Sequence, residues 1–165
     1  MTTTALAEAA PRVYADTSVF GGVFDEEFAN ASLAFFDRVA EGRITLVVSA
    51  IVRDEALRAP AWVAEFYGDL AIGAETVDVT PRAEALARAY MARGVVTARW
   101  EADALHVALA TVSMCAAIVS WNFSHIVHLG RMPLYNEVNR AEGYTDITIM
   151  TPEVAVHYES TGRGV

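Results

Sequence analysis

Apolar residues along this chain fall into two alternating patterns. Short continuous runs of β-branched and aliphatic residues alternate with longer stretches in which apolar positions recur every three or four residues. Arg12 to Asp16 reads as a first strand, β-branched and aromatic at Val13 and Tyr14. From Phe28 to Glu41, Ala31, Leu33 to Phe36 and Val39 recur at helical spacing, and Gly42 follows as a stop. Ile44 to Val48 is a continuous apolar run, the pattern of a parallel strand buried on both faces. Ser49 then stands where a helix N-cap belongs, and the stretch to Arg58 predicts a helix ended by Pro60.

The same alternation continues to the end of the chain. Pro60 to Ala71 predicts a helix, with Trp62, Phe66 and Leu70 forming a stripe that suits a core or a dimer interface. Glu75 to Val79 predicts a strand, and Thr80-Pro81 a helix start with proline at the first helical position. That helix runs to about Arg93 and closes at Gly94. Trp100 to Met114 predicts a helix, Ala117 to Trp121 a strand, and the segment from Asn122 to Tyr144 two short helices. Ile147 to Met150 and Pro152 to Tyr158 predict a last strand and a last helix. Such alternation argues for an α/β fold with a mostly parallel sheet covered on both faces. Length supports a single domain over residues 1–165, with a core at about 12–158 and loose ends before Pro11 and after Ser160.

Composition narrows the function classes. With 54% hydrophobic and 20% charged residues, the chain reads as a soluble globular protein. The longest nearly apolar run, Ala104 to Val119, is interrupted by His106, Thr111 and Ser113 and falls short of the roughly 20 residues of a membrane span. The start, MTTTALAEAAP, lacks the basic head and apolar centre of a signal peptide, so a cytoplasmic location is expected. Cys115 is the lone cysteine and suits a buried, inert thiol; an intrachain disulfide and a multi-cysteine zinc site are excluded. All 12 basic residues are arginine. The net charge of −9 opposes nucleic-acid binding through a basic surface. An RNA role would then need bound cations, local arginine clusters or a basic partner.

In a doubly wound sheet, ligand sites form at the carboxyl ends of strands, beside the point where strand order reverses. Asp16 and Asn122 stand at two such ends. Glu55 lies less than two turns into the helix after another, and Asp103 opens a further helix with His106 on the same face. Carboxylates gathered in a cleft repel one another unless a cation sits among them, and an all-oxygen set favours Mg²⁺ or Mn²⁺. The chemistry so implied is phosphodiester hydrolysis. Each residue also has a plainer reading: a turn or N-cap at Asp16-Thr17-Ser18, a solvated glutamate at Glu55, a helix-dipole partner at Asp103.

Four stretches in order, "VYADTSVFGG", "VVSAIVRDEALRAP", "WEADALHVALATV" and "IVSWNFSHIV", resemble the PIN domain, the fold of the VapC-type toxin ribonucleases. "LYNEVNRAEGY" with "ITIMTPEV" is similar to the tail of one subgroup, and the likeness covers about residues 12–156. The resemblance implies a three-layer α/β/α sandwich with a parallel sheet of about five strands, and Mg²⁺- or Mn²⁺-dependent cleavage of single-stranded RNA. It implies that Asp16, Glu55 and Asp103 are the catalytic, metal-binding acids, with the hydroxyl of Thr17 or Ser18 holding a metal-bound water. The fourth position, frequently Asp in the family, falls at or beside Asn122. An amide keeps an oxygen ligand but removes a charge, so weaker metal binding is expected, with one tight ion in place of two.

Arg53, Arg58 and Arg99 flank this expected site as candidates for RNA backbone contacts or ordinary salt bridges. His106 suits either a phosphate contact or a structural hydrogen bond, and His125 with His128 share an i, i+3 face. The functional expectation is the toxin of a type II toxin–antitoxin pair, a homodimer with an antitoxin partner. The rival is a PIN-like scaffold, weak or inactive at Asn122, that binds a protein. Response-regulator and haloacid-dehalogenase readings fail: there is no lysine, and Ser18 stands where a second aspartate is needed. GxGxxG, GxxxxGK[ST] and GxSxG motifs are absent.

Overall fold

In the computed structural model, which describes residues 9–158, the apolar runs become strands β1 (Arg12–Ala15), β2 (Thr45–Ser49), β3 (Glu75–Val77), β4 (Ala117–Val119) and β5 (Thr148–Met150). All pair in parallel, in the order β3-β2-β1-β4-β5. The chain thus winds outward from β1 to one side, crosses back, and finishes on the other. The point of reversal lies between β1 and β4, where Val13 faces Leu46 on one side and Ala117 on the other. Val13, Tyr14, Val47, Ile118 and Val119 are fully buried, as strands covered on both faces require.

Helices α1 (Thr17–Gly22), α2 (Ala29–Ala40), α3 (Ala50–Arg58), α4 (Ala61–Ala71) and α8 (Pro152–Ala155) pack with one another in one group. Helices α5 (Pro81–Ala92), α6 (Glu101–Val112) and α7 (Met132–Ala141) form the other, α5 packing on both α6 and α7. With the sheet between them they make a three-layer α/β/α sandwich. A single 3₁₀ turn, Ala98–Trp100, leads into α6.

The expected caps are present. The Ser49 hydroxyl accepts from the Val52 amide, and Thr80 does the same for Ala83 ahead of Pro81. α5 closes at Gly94, whose φ of +75° suits glycine. Phe66 packs against the rings of Phe20, Phe24 and Phe36, while Trp62 at the start of the same stripe is 57% exposed. Cys115 is buried, and that burial pushes its thiol up to about 12, which makes it a poor nucleophile. Among the described residues no helix is long and apolar enough to cross a membrane.

Of the plainer readings at Asp16-Thr17-Ser18, the N-cap is the one found: Asp16 caps the short helix α1, accepting from the Ser18 amide, and α1, which the pattern did not predict, is held by burial of Val19 and Phe20. Other element bounds change. β3 stops at Val77 rather than Val79, β4 at Val119 rather than Trp121, and α8 at Ala155 rather than Tyr158. Between Asn122 and Tyr144 there is one helix, α7, preceded by turns rather than by a second helix, because Asn122 and His128 use their side chains to close tight loops. The expected loose ends lie almost wholly outside the described residues.

Candidate functional site

The site starts from two serines and an aspartate at the reversal point. Asp16 follows β1 and Ser120 follows β4, so the crossing of the chain brings them together: Ser120 Oγ donates to Asp16 Oδ2 at 2.8 Å. Ser18 Oγ donates to Oδ1 at 2.5 Å, and the Ser18 amide adds a bond of 3.2 Å. Asp16 is 4% exposed, and every group bonded to it among the described residues is neutral. Burial, the largest influence, raises its carboxyl above the usual range; the charge of His106 and the two hydroxyls oppose that rise, and Glu55 adds to it.

Glu55 comes from the second turn of α3 and reaches the same edge. Its Oε2 accepts from Thr17 Oγ1 at 2.8 Å, and its Oε1 meets His106 Nε2 at 2.9 Å. Burial would raise this carboxyl, but His106, Thr17 and the nearby Arg58 outweigh it and hold Glu55 below the usual glutamate range. His106, projecting from α6, is itself fixed from behind: Nδ1 lies 2.8 Å from Tyr14 Oη, which lies 2.8 Å from Ser49 Oγ. Ser49, Tyr14 and His106 thus form one hydrogen-bonded line that ends on Glu55. Burial pushes the Tyr14 phenol well above its ordinary value, so it stays protonated and able to donate.

Asp103, one turn before His106, turns to a different partner. Its Oδ2 lies 3.1 Å from His125 Nδ1, and the His125 ring stacks on Trp100 with centroids 3.9 Å apart. Asn122 closes the loop after β4: its Oδ1 accepts from the His125 amide at 3.0 Å, and its own amide donates to Ser120 Oγ at 2.9 Å. A run of polar contacts thus links Asp103, His125, Asn122, Ser120, Asp16 and Ser18, continuing through the adjacent Thr17 to Glu55, His106, Tyr14 and Ser49. Asp16, Glu55, Asp103 and Asn122 therefore share one edge of the sheet. Asp103 is nevertheless engaged by His125 rather than turned to Asp16, and among the described residues no three His, Cys, Asp or Glu side chains form a group that could hold a metal ion.

The flanking residues divide. Arg53 pairs with Asp54 at 3.1 Å, and Arg99 lies over the Trp100 ring at 5.1 Å. Both are salt-bridge or stacking geometries that leave the side chains at the surface. His128 Nδ1 accepts from the Gly130 amide, so His125 and His128 serve different partners. Ser120, Tyr14, Trp121 and Gly22 were not singled out in the sequence. The glycine pair after Asp16 has a specific use: a Cβ on Gly22 would lie 2.6 Å from Ser32 Oγ and 2.7 Å from Trp121 Nε1. Only the missing side chain lets the indole donate to Ser32 at 2.8 Å.

To a hard divalent cation this edge offers two carboxylates, Asp16 and Glu55, whose oxygens now meet Ser18, Ser120, Thr17 and His106. Magnesium typically uses one or two carboxylates and keeps several waters. Asp16, buried with neutral donors alone, and Glu55, close enough to raise its pKa, supply that number. Asp103 and Asn122 would have to leave His125 and its backbone to join them.

No protein-family profile matches the chain, and no curated protein matches it in sequence. The fold has solved counterparts. A chain in the crystal structure of VapBC2 from Rickettsia felis, bound to a DNA fragment from their promoter, aligns with a TM-score of 0.55 at 9% identity. The alignment covers 85% of this chain and 98% of that one. At that identity the likeness establishes the architecture, a PIN-like sandwich, and nothing finer.

Proposed function

We propose that the protein is a Mg²⁺- or Mn²⁺-dependent endonuclease of single-stranded RNA, acting in the cytoplasm as the toxin of a type II toxin–antitoxin pair. One observation carries the reading: a buried carboxylate, Asp16, sits at the reversal point of a parallel sheet with Glu55 beside it and neutral hydrogen-bond donors alone around it. An unpaired buried charge is costly, and such a cost is retained where a cation or substrate uses it. The PIN-like fold, shared with a chain of a VapBC complex, agrees with it.

In this reading Asp16 and Glu55 hold the ion, Ser18 and Ser120 orient Asp16, and His106, braced by Tyr14, orients Glu55. Asp103 and Asn122 complete the set if they turn inward. When bound, the cation would supply Lewis-acid charge at the phosphodiester and a water of lowered pKa. Thr17 and Ser18 border the carboxylates and would position that water, while Arg53 and Arg99 would meet RNA phosphates. The net charge of −9 suits an antitoxin with a basic segment better than unaided capture of RNA. A homodimer is the expected assembly.

A second reading has its own support. Asn122 and Asp103 are occupied by the loop and by His125, which favours a catalytically weak PIN-like module that binds a protein. Incubation of a panel of single-stranded RNAs with Mn²⁺ separates the two. Cleavage by the native protein and loss of it in Asp16→Ala, by about 100-fold or more, supports the nuclease. Equal cleavage by both preparations, or none by either, removes it.

A further inference from the structure

Away from the carboxylates, the loop after β4 and the start of α2 form a recess of about 410 Å³. Three aromatic residues line it beside Asn30 and Ala31. Phe28 stacks on Trp121 with centroids 4.3 Å apart and planes 25° from parallel, and Phe123, 49% exposed, stands 6.1 Å from Trp121 and 6.3 Å from Phe28. Two exposed carboxylates, Glu27 and Glu153, stand at the same recess, contributed by the segment before α2 and by α8. Among the described residues neither forms an ion pair.

The aromatic wall is built rather than incidental. Trp121 is held at both ends, its indole donating to the buried Ser32 hydroxyl at 2.8 Å and its backbone amide to Ser18 Oγ at 2.9 Å. Gly22 leaves the space that the indole occupies. A ring so fixed loses little entropy when something stacks on it.

We propose that this recess receives an arginine side chain from a basic segment of a partner protein. The chemistry selects that occupant over others. A guanidinium stacks on aromatic faces and pairs with carboxylates at once, whereas an ammonium does the second well and the first poorly. A nucleobase would stack as well, but its phosphate would approach Glu27 and Glu153, next to Asp25 and Glu26, with no cation among the lining residues. The proposal is independent of RNA cleavage, because it needs neither Asp16 nor a metal.

The test follows the Trp121 indole N–H signal by NMR, assigned by its loss in Trp121→Phe, while acetyl-Gly-Arg-Gly-amide is titrated into the full-length protein. A saturable shift is expected, with the lysine and citrulline versions of the peptide binding about fivefold or more weakly. In the double variant Glu27→Gln, Glu153→Gln, both changes being at exposed positions, affinity for the arginine peptide should fall about fivefold. Equal binding of the arginine and citrulline peptides, or no saturable shift, overturns the proposal. So does adenosine monophosphate moving the same signal at lower concentration, which would make the recess a base-stacking site.

Discussion

Two buried polar networks in this molecule invite comparison. Between α5, α6 and α7, Tyr90 donates to Asn139 Oδ1, and Asn139 Nδ2 reaches Thr111 Oγ1 at 3.4 Å and Asn136 Oδ1 at 3.2 Å. Thr111 in turn donates to the Val107 carbonyl at 2.9 Å, and Asn136 clasps both backbone groups of Ile147 just ahead of β5. Every member is neutral, and each bond is matched by another protein group. At the carboxyl edge of the sheet, the second network contains carboxylates: Asp16 is buried among hydroxyls, and Glu55 leans on His106. Both networks are satisfied in number, yet only the second carries charge into low dielectric. A neutral buried network specifies packing at modest cost, whereas a charged one lowers stability unless something cationic joins it.

That contrast can be broken most severely from its neutral half. Asn139→Ala strands the Tyr90 hydroxyl and opens a void, and should cost roughly 3 kcal/mol, lowering the melting temperature by roughly 6–12 °C. Calorimetry checks this; an unchanged melting temperature would mean the network is not holding α5 to α7. In the charged half the sign reverses. Asp16→Asn retains hydrogen bonding to Ser18 and Ser120 but removes the buried charge, so in chelator-treated buffer near neutral pH it should raise the melting temperature by about 2–4 °C. Added Mn²⁺ should stabilise the native protein and leave the variant unmoved.

The smallest effect is in its pH dependence, where the sign follows from the direction of the shift. Asp16 has its pKa raised in the folded state, so the folded protein holds that proton more tightly than the unfolded chain. Stability from this group is full below the ordinary aspartate range and is lost as pH rises through the raised value. Glu55 is lowered and contributes oppositely, its stabilisation present at higher pH and lost as pH falls. The advantage of Asp16→Asn over the native protein should therefore vanish in acid and open as pH climbs past the Asp16 titration. A constant gap across that range would mean that the charge is not the cause.

Much of the fold was legible because its signals are local. A run such as Ile44 to Val48 must be buried on both faces wherever it goes, and Ser49, Thr80 and Gly94 announce helix ends through hydrogen bonds and dihedrals that involve their near neighbours. The helix α1 escaped notice because Asp-Thr-Ser followed by two glycines is also good turn chemistry, and burial of Val19 and Phe20 decided between them. The shared placement of Asp16, Glu55, Asp103 and Asn122 at one edge was legible from where each stands relative to a strand or helix end. The site's internal pairing was not: nothing near Asp103 in the chain marks His125 as its partner, and nothing near Asp16 marks Ser120, 104 positions away.

Periodicity and capping, which act over a few residues, were enough to set out the order of the five strands and of most helices between them, and to put an acid at the end of β1. Which donors that acid meets, which carboxylates histidines hold, and that Gly22 makes room for an indole from the far side of the reversal point were settled by the crossing of β4 beside β1. Those are long-range relations. Hydrogen bonds and steric fit act over a few ångströms, so they arise when the folded sheet brings distant segments within that reach.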